Sequence, residues 1–168
     1  MTEGTGQHRK SAAVELDRLD RAILTELARD GRMSVTDLAA RVGLSKTPVQ
    51  ARMRRLEKLG VIAGYRAILS PVQMNLAHVA FVQLRLGDTR EAALQAFNRA
   101  VHAIPEVEEC HMIAGGFDYL LKVRTTDISD YRRVLAEQIS SLPHVASSST
   151  FVAMETIKEN APMALKRD

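Results

Sequence analysis

The chain has 168 residues, of which 46% are hydrophobic and 4% aromatic, with no Trp. That length suits one large domain or two small ones, with cores built from Leu, Val, Ile, Met and Ala. Residues 11–69 hold eleven Lys/Arg against seven Asp/Glu, and residues 70–168 hold ten against twelve, so the first half is the one suited to a polyanion. No apolar run approaches the ~20 residues that span a bilayer. Met1 to Lys10 lacks the apolar stretch of a signal peptide, and the single Cys110 cannot make an internal disulfide. Membrane-spanning and disulfide-framework classes are excluded, and a soluble intracellular protein is expected.

Residues 1–14 are polar and aperiodic and read as a disordered tail. Leu16, Leu19, Ile23 and Leu27 then recur at steps of three and four, which predicts a first helix. It is expected to stop near Asp30-Gly31, with Gly31 as a left-handed C-terminal cap. Ser34, with Asp37 three residues on, starts a short second helix through Val35, Leu38, Ala39 and Val42, which Gly43 breaks. Ser45 is the next N-cap candidate. Pro48 falls in the first turn of a third helix, where backbone N–H groups have no intrahelical partner. That helix runs to about Leu59 and ends at Gly60. Val61 to Leu69 reads as a short β element interrupted by Gly64.

After Ser70-Pro71 the periodicity changes. Val79–Leu86, Val107–Ala114, Tyr119–Arg124 and a stretch within Val145–Ile157 read as strands. Arg90–Ala103 and Ile128–Ser140 read as helices, with Ala93, Leu94, Phe97 and Val101, and Tyr131, Val134, Leu135 and Ile139, facing inward. Ile104-Pro105-Glu106-Val107 and Leu142-Pro143-His144-Val145 share the form apolar-Pro-x-Val, each between a helix and a strand. Two β-α-β units about 38 residues apart predict a ferredoxin-like split βαββαβ fold. The fold class is therefore α+β: a winged helix-turn-helix over 15–69, a linker over 70–77, a ferredoxin-like domain over 78–157, and a tail over 158–168.

On a helical wheel the third helix clusters Val49, Met53 and Leu56 on one side, flanked by Leu59 and Arg52. Thr47, Gln50, Ala51, Arg54, Arg55 and Lys58 fall on the other. Residues 45–58 carry five basic side chains and one acidic. An apolar back and a basic, hydrogen-bonding front, preceded by a short capped helix and a Gly turn, suit the major groove of double-stranded DNA. Ser45, Lys46, Thr47 and Gln50 occupy the end that meets bases. Arg54, Arg55 and Lys58 are placed to reach phosphates, which govern affinity and salt dependence. Arg66 on the β element reads as a backbone contact or a plain exposed residue.

These residues resemble the leucine-responsive regulatory protein/asparagine-synthase regulator (Lrp/AsnC, feast/famine) family of transcription regulators. Leu19-Asp20-x-x-Ile23-Leu24 opens the likeness. Val42-Gly43-Leu44-Ser45-x-Thr47-Pro48-Val49-x-x-Arg52-x-x-Arg55-Leu56-Glu57-x-x-Gly60-x-Ile62-x-Gly64-Tyr65 extends it. Glu109-Cys110-His111 and Gly115-x-Phe117-Asp118-Tyr119-Leu120-Leu121-Lys122 continue it in the second half, for coverage of about residues 15–160. The leucine-responsive branch, which includes activators of proline catabolism, is the nearest. The resemblance implies homodimers that pair through the βαββαβ domain and assemble to octamers. It implies an amino-acid effector, leucine or proline among the candidates, bound between subunits. A cytoplasmic, nucleoid-associated regulator follows, with an effector-independent DNA-wrapping protein as the alternative.

Ala114-Gly115-Gly116-Phe117-Asp118 lies between two strands. Read from the residues, it is either a backbone nest for an amino-acid carboxylate, with Asp118 pairing the ammonium, or a β-turn in which Asp118 bonds the backbone. The resemblance implies the first, with Gly115, Gly116, Phe117, Asp118 and Thr150 as effector residues. Gly116 stands where close relatives often carry Asp. Cys110 and His111 are adjacent strand residues that point to opposite faces, so Cys110 reads as core rather than nucleophile. His8, His78, His102 and His144 show no metal spacing. No catalytic motif and no cofactor loop is present in the sequence, so an enzyme is not expected.

Overall fold

The computed structural model describes residues 14–165; the expected tail at 1–14 lies outside them except for Val14. The chain forms two compact units, one of residues up to Ile68 together with those from Asn160 on, the other of Leu69–Glu159.

The first unit holds three helices, α1 (Arg18–Arg29), α2 (Val35–Val42) and α3 (Lys46–Lys58). Asp17 caps α1 by accepting from the backbone N–H of Asp20, and the Asp20 carboxylate reaches back to the N–H of Asp17. This reciprocal box satisfies two otherwise unpaired donors. The far end of α1 departs from expectation. Gly31 is not left-handed. Asp30 leaves the helix in an extended conformation and its carboxylate accepts from the N–H of Arg32, so an Asx turn makes the stop. Ser34 caps α2 as expected, accepting from Asp37 N–H at 3.1 Å. Gly43 closes α2 with φ +70°, a conformation that a Cβ penalises. Ile23, Leu27, Leu38, Ala39, Val49 and Leu56 form the buried core.

Among the described residues, no strand covers 61–69. The segment follows Gly60, itself at φ +70°, as irregular chain whose first two N–H groups bond back to Leu56 C=O. Its apolar residues suit a strand, but no neighbouring segment of this unit offers a ladder to pair with. Tyr65 instead donates from its hydroxyl to Glu57 on α3, and its ring lies beside Gly31.

The second unit runs β1 (His78–Leu86), α4 (Glu91–Val101), β2 (Val107–Met112), β3 (Tyr119–Thr125), α5 (Ile128–Val134) and β4 (Val145–Val152). The sheet order is β2-β3-β1-β4 with every neighbouring pair antiparallel. Each β-α-β unit is thus split by a strand of the other, which is the ferredoxin-like arrangement predicted. Alternation puts Ala80, Val82, Leu84 and Leu86 of β1 and Tyr119, Leu121 and Val123 of β3 on one face. There they pack with Phe97 and Val101 of α4 and Tyr131, Val134 and Ile139 of the second helical stretch. That stretch ends in a π-helical turn, Leu135–Ile139.

The two proline turns are real counterparts. Val107 N–H bonds Ile104 C=O, and Val145 N–H bonds Leu142 C=O. Ile104 and Leu142 are both buried. They differ at the third residue, because His144 has φ +64° whereas Glu106 does not enter the left-handed region. The left-handed turn leaves the His144 carbonyl accepting from Gly87 N–H at 2.8 Å.

Among the described residues of this unit, both helices pack on the sheet face that carries Val82 and Leu121 and none on the other. Phe81 of β1 stands opposite Phe151 of β4, and Lys122 of β3 is the partner of Phe81 on the opposite side. Residues 155–159 lie beside Val79, Phe81 and Lys122 on this face, and Glu159 pairs there with Lys122 and Arg124, which Glu108 also engages.

Candidate nucleic-acid interface and effector loop

The exposed surface of α3 resolves into two stripes. Thr47, Gln50, Arg54 and Lys58 follow one another at steps of three and four, share a side and are all exposed. Val49 and Leu56, both fully buried, hold the opposite side against α1 and α2. Ser45 occupies the N-cap position with extended backbone, yet its hydroxyl makes no capping bond. Pro48 is the third helical residue, so the N–H that such a hydroxyl would take is missing. Ser45, Lys46 and Thr47 therefore present a polar, exposed start to the helix.

Arg55 departs from its expected place. Its Nη2 donates to Asp20 Oδ2 at 2.5 Å. Arg52 Nη1 donates to Asp20 Oδ1 at 2.8 Å and to Asp17 Oδ2 at 2.6 Å. These two arginines form the second stripe, directed at the first turn of α1, and with Asp17, Pro48 and Ala51 they line a shallow hollow. Asp20 is completely buried. Burial pushes its carboxyl up, but the bonds from Arg55 and Arg52 outweigh this and hold it below the usual carboxylate range. Asp17 is lowered by the Asp20 backbone N–H and by Arg52. Sequence reasoning missed both acids as functional groups. The available signal was the spacing Asp17-x-x-Asp20 ahead of an apolar run, which marks a helix start.

The loop 115–118 joins β2 to β3. Gly115 and Gly116 are exposed, Phe117 and Asp118 half-buried. Gly116 has open space where a Cβ would stand. Asp118 is built into the sheet: its N–H bonds Leu84 C=O, its C=O accepts from Ile113 N–H, and its Oδ2 accepts from Leu86 N–H at 2.7 Å. One carboxylate oxygen thus braces the end of β1, which is the backbone-bonding alternative. Thr150 is not brought to this loop within one chain. It lies on β4, across β1 from β3, and its hydroxyl bonds that of Tyr131 on the helix-covered side. Burial raises the Cys110 thiol above its ordinary value, and the register sets Cys110 beside Leu121 and His111 beside Leu120. The pair therefore does not share a face. Among the described residues, no helix is long and apolar enough to cross a membrane.

Residues 79–163 match the Lrp/AsnC ligand binding domain, and residues 16–63 match a winged helix-turn-helix DNA-binding family. The chain is 59% identical over 148 residues to the proline dehydrogenase transcriptional activator of Rhodobacter capsulatus, covering 88% of this chain and 96% of that one. It is 43% identical over 158 residues to the leucine-responsive regulatory protein of Escherichia coli, covering 94% and 96%. A transcriptional regulator of Neisseria meningitidis, solved with L-methionine, superposes with a TM-score of 0.83 at 30% identity, covering 89% and 97%. These relatives are regulators of transcription, and the two matched models are a DNA-binding and a ligand-binding domain. The chain belongs to the Lrp/AsnC family of DNA-binding transcription regulators and is not an enzyme.

Proposed function

We propose that the protein is a sequence-specific regulator of amino-acid metabolism, with a gene of proline catabolism as target and a small amino acid, proline or leucine, as effector. The observation that carries this reading is the stripe Thr47, Gln50, Arg54 and Lys58, exposed along a helix whose opposite side is fully buried. Ser45, Lys46, Thr47 and Gln50 meet base edges, and Arg54 and Lys58 meet phosphates. Arg55 is held by Asp20 and supports the helix instead. The near relative named as a proline dehydrogenase activator supports the choice of target.

The effector is held between subunits. Gly115 and Gly116 let backbone N–H groups approach its carboxylate, Asp118 offers its second oxygen to the ammonium, and Phe117 flanks the side chain. Thr150 is contributed by a neighbouring subunit, in keeping with its place on β4, with β1 between it and β3. Subunits pair through the helix-free sheet face, where Phe81 and Phe151 are exposed, and dimers assemble to octamers in the cytoplasm on the nucleoid. The test is calorimetry of each of the twenty amino acids against the assembled protein. Binding of proline or leucine at sub-millimolar concentration, lost in Asp118→Ala with the fold intact, is expected. No heat from any amino acid at millimolar concentration would contradict the effector reading.

A further inference from the structure

The buried carboxylate of Asp20 has more work than capping α1. It accepts from Arg52 and Arg55, which sit three residues apart on α3 and so contact one carboxylate from successive turns. Apolar burial is non-directional, and only Val49 and Leu56 of α3 are fully buried. The apolar contact, to which Met53 adds a partly buried side chain, sets which side of α3 faces inward. Charge-assisted bonds from two turns to one fixed point are directional, and they set both the rotation and the height of α3 against α1. Asp20 lies in the first turn of α1, where the helix dipole favours its charge. Asp17, Asp20, Arg52 and Arg55 together carry no net charge. The network therefore also withdraws two arginines from the cationic surface that the stripe of Gln50 and Arg54 presents.

We infer that Asp20 is a positioning residue for DNA recognition: by binding Arg52 and Arg55 it orients the base-reading stripe of α3 and keeps Arg55 from binding phosphate indiscriminately. This rests on the reading of α3 as the groove helix. Two effects follow from releasing the clamp. The stripe loses its fixed orientation, which lowers discrimination between sites. Arg55 becomes free to reach a phosphate, which strengthens binding to any sequence.

The test uses the full-length assembled protein and two duplexes of equal length, one selected by the wild-type protein from a random pool and one of random sequence. Affinity is measured against salt for each. Asp20→Asn keeps the shape and removes the charge. The expected result is a ratio of selected to random affinity that falls about tenfold, the scale of one mismatched base pair. The random-duplex salt slope is expected to steepen by about 0.9 for each subunit that contacts the duplex, one added phosphate contact apiece. A merely structural Asp20 lowers both affinities by one factor at unchanged slope, and that result overturns the inference.

Arg55→Gln covers the case in which Asp20→Asn does not fold. It is expected to lower the ratio while leaving the random-duplex slope unchanged. A slope flatter by about 0.9 per contacting subunit would show that Arg55 already binds phosphate, and would overturn the inference. Gln50→Ala in the same assay separates the two readings. If it leaves the ratio unchanged, the groove assignment fails, whereas the Asp20→Asn and Arg55→Gln slopes still report on the clamp.

Discussion

The two units achieve order by different means. The βαββαβ unit buries a continuous apolar layer in which Phe97, Leu84, Leu121, Val82, Val123, Val134 and Ile139 are all fully enclosed. The three-helix unit has a core of six buried residues, none larger than Leu or Ile, and adds a directional ion-pair network at the α1–α3 contact. The difference follows from the task. A recognition helix must leave most of its surface free for a ligand, so few of its side chains can be spent on burial. A charged clamp at its flank supplies the orientation that packing does not. The sheet unit has a whole face to cover with helices and needs no such device there.

Truncating the larger core is the severest way to probe that contrast. Phe97→Ala, which also removes the ring contact to Tyr119, is expected to destabilise the sheet unit by about 3–5 kcal/mol. Leu56→Ala is expected to cost the helical unit about 2–3 kcal/mol, because fewer buried atoms are removed than in Phe97→Ala. Because the chain has two units, each should be followed by its own probe rather than by a single melting temperature. A larger loss for Leu56→Ala than for Phe97→Ala would reverse the comparison.

Acid sharpens it further. Asp17 and Asp20 have folded pKa values below their unfolded ones. Their stabilising contribution is therefore complete above the ordinary carboxylate range and is lost as pH falls through the lowered values. Chemical denaturation of the helical unit at a series of pH values should show wild type losing stability on acidification, while Asp20→Asn loses less. The two curves then converge at low pH. Parallel curves would mean that Asp20 does not titrate with folding.

The positions where sequence reading succeeded and failed divide along the same physical line. Periodicity reports what one segment does with its own residues. It found the inward faces of α4 and α5, the caps at Ser34 and Gly43, and the paired proline turns, whose Ile104 and Leu142 both prove buried. It could not report partners distant in the chain. Arg55 lies about 80° round the helix from Thr47 and about 100° from Leu56, so the wheel leaves it between the two sides. Asp20, thirty-five residues earlier, decides the matter. The same limit applies to residues 61–69, whose apolar side chains promise a strand but find no ladder. Thr150 is a third case: only the order β2-β3-β1-β4 shows that β1 lies between it and the loop at 115–118.

The salt dependence of DNA binding by Arg54→Ala and Gln50→Ala tests the assignment of the exposed stripe of α3 to DNA most directly. Arg54→Ala is expected to weaken binding to all sequences alike and to flatten the slope by about 0.9 per contacting subunit, while Gln50→Ala narrows the gap between selected and random DNA with little change in slope. Affinities and slopes unchanged from wild type in both variants would contradict the assignment of this helix to the major groove.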